Sequence, residues 1–169
     1  MQYSHSDAEL AHQPVGYWTW ATARSILGDI HASLAKAGMT QPQWWILNQL
    51  VDPDGARTRA RMSEILATYL DPGARPIDES VDIVIALGWA TEESTGSLAL
   101  TAAGQLAFDT AKHVMDQVWA RRHDGIPDED YVQALKVLQQ FIHNTGGQAW
   151  HHAIGEANGS SPVMVDTLR

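Results

Sequence analysis

Asp109 and His113 stand four residues apart, a spacing that on a helix lets a carboxylate orient an imidazole for acid–base chemistry. The same spacing also describes an ordinary exposed helix pair, stabilising by about 0.2–0.5 kcal/mol. His31 is the third group an enzyme could use, and no catalytic assignment follows from these three alone. His152 and Glu156 repeat the spacing near the end of the chain, with His143 and His151 nearby. Nothing in that glycine-rich stretch would fix a coordination cage, so no metal site is expected. No glycine-rich phosphate loop, nucleophile elbow or paired-carboxylate pattern occurs, and no cofactor is expected. The chain has no cysteine, which excludes disulfides, thiolate nucleophiles and thiolate zinc sites.

The elements that must carry these groups follow from length and periodicity. With 169 residues, 44% of them hydrophobic, one domain with one core is the default. No apolar run is long enough to cross a bilayer, and the polar start is unlike a secretion signal, so a cytoplasmic protein is expected. Seven tryptophans are many for this size, and large aromatics dominate cores and interfaces. Residues 1–14 suggest a flexible arm ending at Pro14, residues 15–145 a single domain, and residues 146–169 a polar, glycine-rich tail.

Within the domain, Trp20, Ala23, Leu27, Ile30 and Leu34 recur at helical spacing over residues 17–37. Thr40 and Gln43 form a capping box that opens a second helix carrying Trp44, Trp45, Leu47 and Leu50. Ser63 caps a short helix over 64–70, and Pro76 begins another that runs to Gly88. The period then changes. Residues 89–92 and 97–100 are short extended runs around Ser94-Thr95-Gly96, the pattern of a hairpin. Thr101 caps a long helix whose buried face is expected to be Leu106, Ala107, Ala111, Val114 and Val118. A last helix over 128–143 shows Tyr131, Leu135, Leu138 and Ile142 in step, with acidic residues in its first turn.

This order resembles that of the MarR family of bacterial regulators. The resemblance rests on Met39-Thr40-Gln41-Pro42-Gln43-Trp44, Met62-Ser63-Glu64-Ile65-Leu66-Ala67, Val84-Ile85-Ala86-Leu87-Gly88-Trp89 and Leu98-Ala99-Leu100-Thr101-Ala102-Ala103-Gly104. It implies a mainly α fold: a winged helix-turn-helix over about residues 39–101, with dimerisation helices from both ends of the chain. It also implies a homodimer, and a small-molecule ligand such as an aromatic acid in the crevice between dimer helices and winged helix. Tyr17, Trp18, Trp20, Arg24, His31, Trp44, Trp45 and His113 are the ligand candidates, with core packing as the alternative for the tryptophans. Adjacent helical residues diverge by about 100°, so Trp44 and Trp45 are not expected to face one core.

DNA is the partner the resemblance implies, and here the chain departs from the pattern. If Ile77, Val81, Val84 and Gly88 face inward, the reading face of the recognition helix shows Asp78, Glu79, Asp82, Ile83 and Ala86. It offers no cation or amide to a base edge. The stretch from Asp52 to Thr101 holds nine carboxylates and four arginines, and the net charge of the chain is −9. Arg57, Arg59, Arg61 and Arg75 are the candidate phosphate contacts, or else solvated loop charges. Two functions remain open: a ligand-responsive transcriptional regulator, or a MarR-fold dimer that has lost DNA binding and binds or transforms a small molecule.

Overall fold

The computed structural model describes residues 3–52, 54–66, 69–70 and 75–147. Its elements, in chain order, are α1 (Asp7–Leu10), α2 (Val15–Lys36), α3 (Gln41–Val51), α4 (Arg59–Leu66), α5 (Ile77–Ala86), β1 (Ala90–Glu92), β2 (Leu98–Leu100), α6 (Ala102–His123) and α7 (Asp128–Asn144). Helix α3 is the spine. Seven of its eleven residues are buried, and it packs against α2, α4, α5, α6 and β2. A helix covered on every side needs apolar residues all round, which is why Trp44-Trp45-Ile46-Leu47 shows no amphipathic break. Each fully buried leucine or isoleucine here contributes about 1.5–3 kcal/mol relative to exposure. The capping box forms as expected: the Gln43 Oε1 accepts from the Thr40 amide at 2.8 Å.

Four expectations need correction. The arm before Pro14 contains the short helix α1, opened by Ser6 with Glu9 reaching back to its amide at 2.9 Å. Helix α4 starts at Arg59 rather than after Ser63; the Arg61 amide donates to the Thr58 hydroxyl at 3.3 Å and the Met62 amide to the Thr58 carbonyl at 2.8 Å. Thr58 is therefore the opening residue, and Arg59 and Arg61 sit on a helix rather than a loop. On α6 the buried face is Gly104, Phe108, Ala111, Met115 and Val118, whereas Leu106 is exposed. The stripe on α2 is covered only at its C-terminal end, by Ile30 and Leu34; Trp20, Ala23 and Leu27 are exposed.

The hairpin is antiparallel with Ala90 opposite Leu100 and Glu92 opposite Leu98. Its second strand is tied back into the domain, because the Leu98 amide donates to the Arg57 carbonyl at 2.6 Å. The wing then meets α6 through a close backbone approach. A Cβ at Gly104 would lie 2.0 Å from the Trp89 carbonyl oxygen, so only glycine fits. Helix α7 has no buried residue, although Val132, Leu135, Val137 and Phe141 leave a large apolar area in water. No helix among the described residues is long and apolar enough to cross a membrane.

Gly104→Ala should cost about 2–3 kcal/mol, the usual cost of overpacking against something that cannot yield. Urea unfolding followed by circular dichroism checks it: a lower midpoint at unchanged slope is expected.

Candidate nucleic-acid interface and ligand crevice

On α5, Ile77, Val81 and Val84 are buried, and Asp78, Glu79, Asp82, Ile83 and Ala86 face solvent. Gly88 does not face inward as expected; it is exposed at φ +71°, closing the helix in a left-handed turn that favours glycine. Ile83 and Leu87 are exposed beside the carboxylates, so the outward face is acidic and apolar.

The four candidate arginines all have partners within the chain. Arg57 donates from Nη1 to the Gln49 carbonyl at 2.8 Å and from Nη2 to the Asp52 carbonyl at 2.5 Å. It satisfies two carbonyls at the C-terminal end of α3 that have no intrahelical donor. Arg59 reaches across to the wing. Its Nε lies 3.0 Å from both Glu92 carboxylate oxygens, and its Nη2 lies 2.9 Å from Glu92 Oε2 and 2.8 Å from Asp82 Oδ1. The hydrogen bonds that Arg59 donates to Glu92, ahead of the one to Asp82, hold its guanidinium above its ordinary pKa, so it is charged throughout the working range. Arg61 pairs with Glu64 at 2.6 Å along α4, and Arg75, just before α5, reaches Glu79 at 4.0 Å; both pairs are exposed.

The ligand candidates separate into three groups. Tyr17, Trp18 and Trp20 form an exposed aromatic cluster on α2, with ring centroids 5.5 and 6.3 Å from Tyr17, and the Arg24 guanidinium lies 5.4 Å over the Trp20 ring. Trp44 and Trp45 are both buried in the single core, contrary to expectation. Their divergence is real, but each side of α3 is covered: Trp44 stacks on Phe108 at 5.1 Å, and Trp45 leans on Tyr69 at 5.8 Å. His31 lines a cavity of about 310 Å³ with Ala35, Met39, Thr40, Gln41 and Pro42. Its Nε2 is 2.8 Å from Gln41 Oε1. A pocket with apolar walls and one imidazole–amide pair suits a small, largely apolar molecule with one polar handle.

Asp109 and His113 are not joined. Asp109 accepts from Gln105 Nε2 at 2.9 Å, and His113 bonds Gln117 at 3.1 Å, both on the exposed side of α6. His143 is exposed on α7; His151, His152 and Glu156 lie outside the described residues. Among the described residues no three histidine or carboxylate side chains are grouped to hold a metal. Sequence reasoning also missed a ring cluster where α6 passes into α7. There His123 stacks on Trp119 at 4.0 Å, and Tyr131 meets its edge at 4.8 Å. The spacing of Trp119 and His123, four residues apart on one helix, was the available signal.

No protein-family model matches the chain, and no curated protein sequence matches it. Solved structures do. A MarR family transcriptional regulator from Silicibacter pomeroyi shares 19% identity, with 83% of this chain and 99% of that one covered at a TM-score of 0.63. A MarR family protein of Mycobacterium tuberculosis in complex with DNA shares 18%, covering 76% and 98% at 0.58. CouR from Rhodococcus jostii RHA1, bound to p-coumaroyl-CoA, shares 22%, covering 76% and 91% at 0.59. The fold is the MarR-type winged helix-turn-helix.

The tryptophans should separate cleanly by stability. Trp44→Ala removes the stack on Phe108 and should cost about 3–5 kcal/mol. Trp20→Ala, on the exposed cluster, should stay within about 0.5 kcal/mol when unfolding is measured at protein concentrations too low for association.

Proposed function

We propose that this chain is a homodimeric, small-molecule-responsive transcriptional regulator of the MarR type, acting in the cytoplasm. The observation that carries the reading is a winged helix, with both helix-turn-helix helices and the hairpin among the described residues, mounted on long helices whose apolar surfaces are left uncovered. Val132, Leu135, Val137 and Phe141 on α7 are exposed, as are Tyr17, Trp18, Trp20 and Leu27 on α2. Eight large apolar side chains left exposed on two long helices are normally covered by a partner, and a second copy offers the same surfaces in return. In such a dimer the two recognition helices would face adjacent turns of a duplex, about 34 Å apart. Arg59, Arg61 and Arg75 would supply phosphate contacts, which position a protein without reading sequence. The ligand would enter beside His31 and Gln41, where an aromatic acid could place its ring on the apolar walls.

A second reading is a dimer of the same fold that no longer binds DNA and binds or transforms its small molecule instead. The acidic face of α5 and the commitment of Arg57 to backbone carbonyls favour it. Retardation of genomic DNA fragments at low salt, where phosphate attraction is strongest, decides between them. The regulator should retard fragments at micromolar protein, and absence of retardation leaves the second reading.

The assembly and the ligand site have their own tests. Leu135→Asp should shift sedimentation from dimer to monomer while the helical content holds; an unchanged dimer would remove α7 from the interface. Ala35→Phe fills the cavity and should abolish any tryptophan-fluorescence response to aromatic acids without moving the melting temperature by more than a few degrees.

A further inference from the structure

We propose that Arg59, Glu92 and Asp82 form an internal lock that withholds the Arg59 guanidinium from nucleic acid until the wing moves away. The inference rests on the regulator reading and concerns how its contact with DNA is gated. Three elements meet at this one side chain: Arg59 opens α4, Asp82 lies on α5 and Glu92 ends β1. All three guanidinium nitrogens are engaged. The Nε and Nη2 pair faces Glu92, Nη2 also meets Asp82, and Nη1 points at the Asp78 carbonyl at 3.5 Å. A phosphate is held best by two parallel N–H groups of the fork, and the Nε–Nη2 edge is the one Glu92 occupies. DNA therefore competes with a carboxylate for the same donors.

The other two candidate contacts differ in kind. Arg61 and Arg75 pair with carboxylates three or four residues away on or beside their own helix, so exchanging that partner for a phosphate moves only side chains. Glu92 is 33 residues from Arg59, on another element, and the side chains are 30% and 29% exposed, less open to solvent than those pairs. Releasing Arg59 means breaking a bond between α4 and the end of β1, and we take the end of β1 to move away with Glu92. The hairpin is suited to such a movement, because it is held by three facing pairs in strands of three residues. Its far strand and its start stay anchored, through the Leu98 amide on the Arg57 carbonyl and the Thr101 amide on the Trp89 carbonyl at 3.0 Å.

The test compares two pairs of substitutions with the same charge change, each with one position on α5 and one in the wing. D82N/E92Q removes both carboxylates from Arg59; D78N/E93Q removes two carboxylates that do not touch its side chain. Each dimer is titrated with a non-specific duplex across a range of salt. The lock predicts that D82N/E92Q binds at least tenfold tighter than D78N/E93Q, with a salt slope steeper by about 0.9 per protomer for one added phosphate contact. Adding R59Q to D82N/E92Q should remove the gain. Should that triple variant fail to fold, hydrogen exchange across residues 90–100 replaces it: E92Q should speed exchange relative to wild type, and unchanged exchange overturns the lock. Equal gains in the two pairs, with wild type binding, would overturn the lock and leave the regulator reading standing. No binding by any variant, wild type included, would overturn both.

Discussion

Everything in the winged helix depends on the burial of α3 along its whole length. A helix enclosed on all sides cannot leave its last carbonyls to water, and the C-terminal end of α3 meets this constraint with a guanidinium. Arg57 donates to the carbonyls of Gln49 and Asp52, while Gln49 accepts from the Ala56 amide at 2.9 Å. The connecting segment is thereby folded tightly against the helix end. A Cβ at Gly55 would lie 1.9 Å from the Gln49 carbonyl oxygen, so even the turn has no room for a side chain. The same segment then offers its Arg57 carbonyl to Leu98 and so fixes the second strand of the wing. One buried helix end thus dictates where the returning strand of the wing docks.

That constraint explains the electrostatics of the surface. Cations that a solvated sequence would present to a polyanion are here used inside the molecule, Arg57 by backbone and Arg59 by the wing and recognition helix. The carboxylates that dominate α5 and β1 are in part the counterparts of this arrangement, since Asp82 and Glu92 close on one guanidinium. Exposed ion pairs contribute little one at a time, but a fork held by two carboxylates from different elements fixes geometry as well as energy. The acidic surface is a property of how the domain holds its hairpin, as much as of what the domain binds.

The order of elements could be read from periodicity because each long helix is bounded by a strong local signal: Pro14, the Thr40–Gln43 box, Pro76, the Gly96 turn, Thr101 and the Gly125-Ile126-Pro127 break. What periodicity cannot supply is which of two apolar stripes on a helix finds a neighbour. On α6 the choice fell on Phe108 and Met115 and left Leu106 in water, because Trp44 on α3 supplied a stacking partner for Phe108. Likewise Ser63 looked the better cap, yet Thr58 opens α4, and Ser63 instead donates to Asp78 at 3.3 Å within the helix-turn-helix. The site was less readable still. His31 could be named, but Met39, Gln41 and Pro42 join it only because Gly38 turns the chain back at φ +72°. The partners of the arginines were invisible for the same reason, being set by contacts between elements distant in sequence.

Thr101 is a mechanical joint. Its hydroxyl donates to the Gly88 carbonyl at 2.6 Å and accepts from the Gly104 amide at 3.0 Å, while its own amide donates to the Trp89 carbonyl. One residue therefore pins the end of α5, the root of the wing and the first turn of α6 together, with Gly104 leaving no gap between them. The joint has no slack. A tilt of α6 imposed at its far end is passed to the end of α5 and the root of the hairpin together, so this long helix works as the arm of a crank whose pin is Thr101, while the strands beyond Ala90 lie outside the joint.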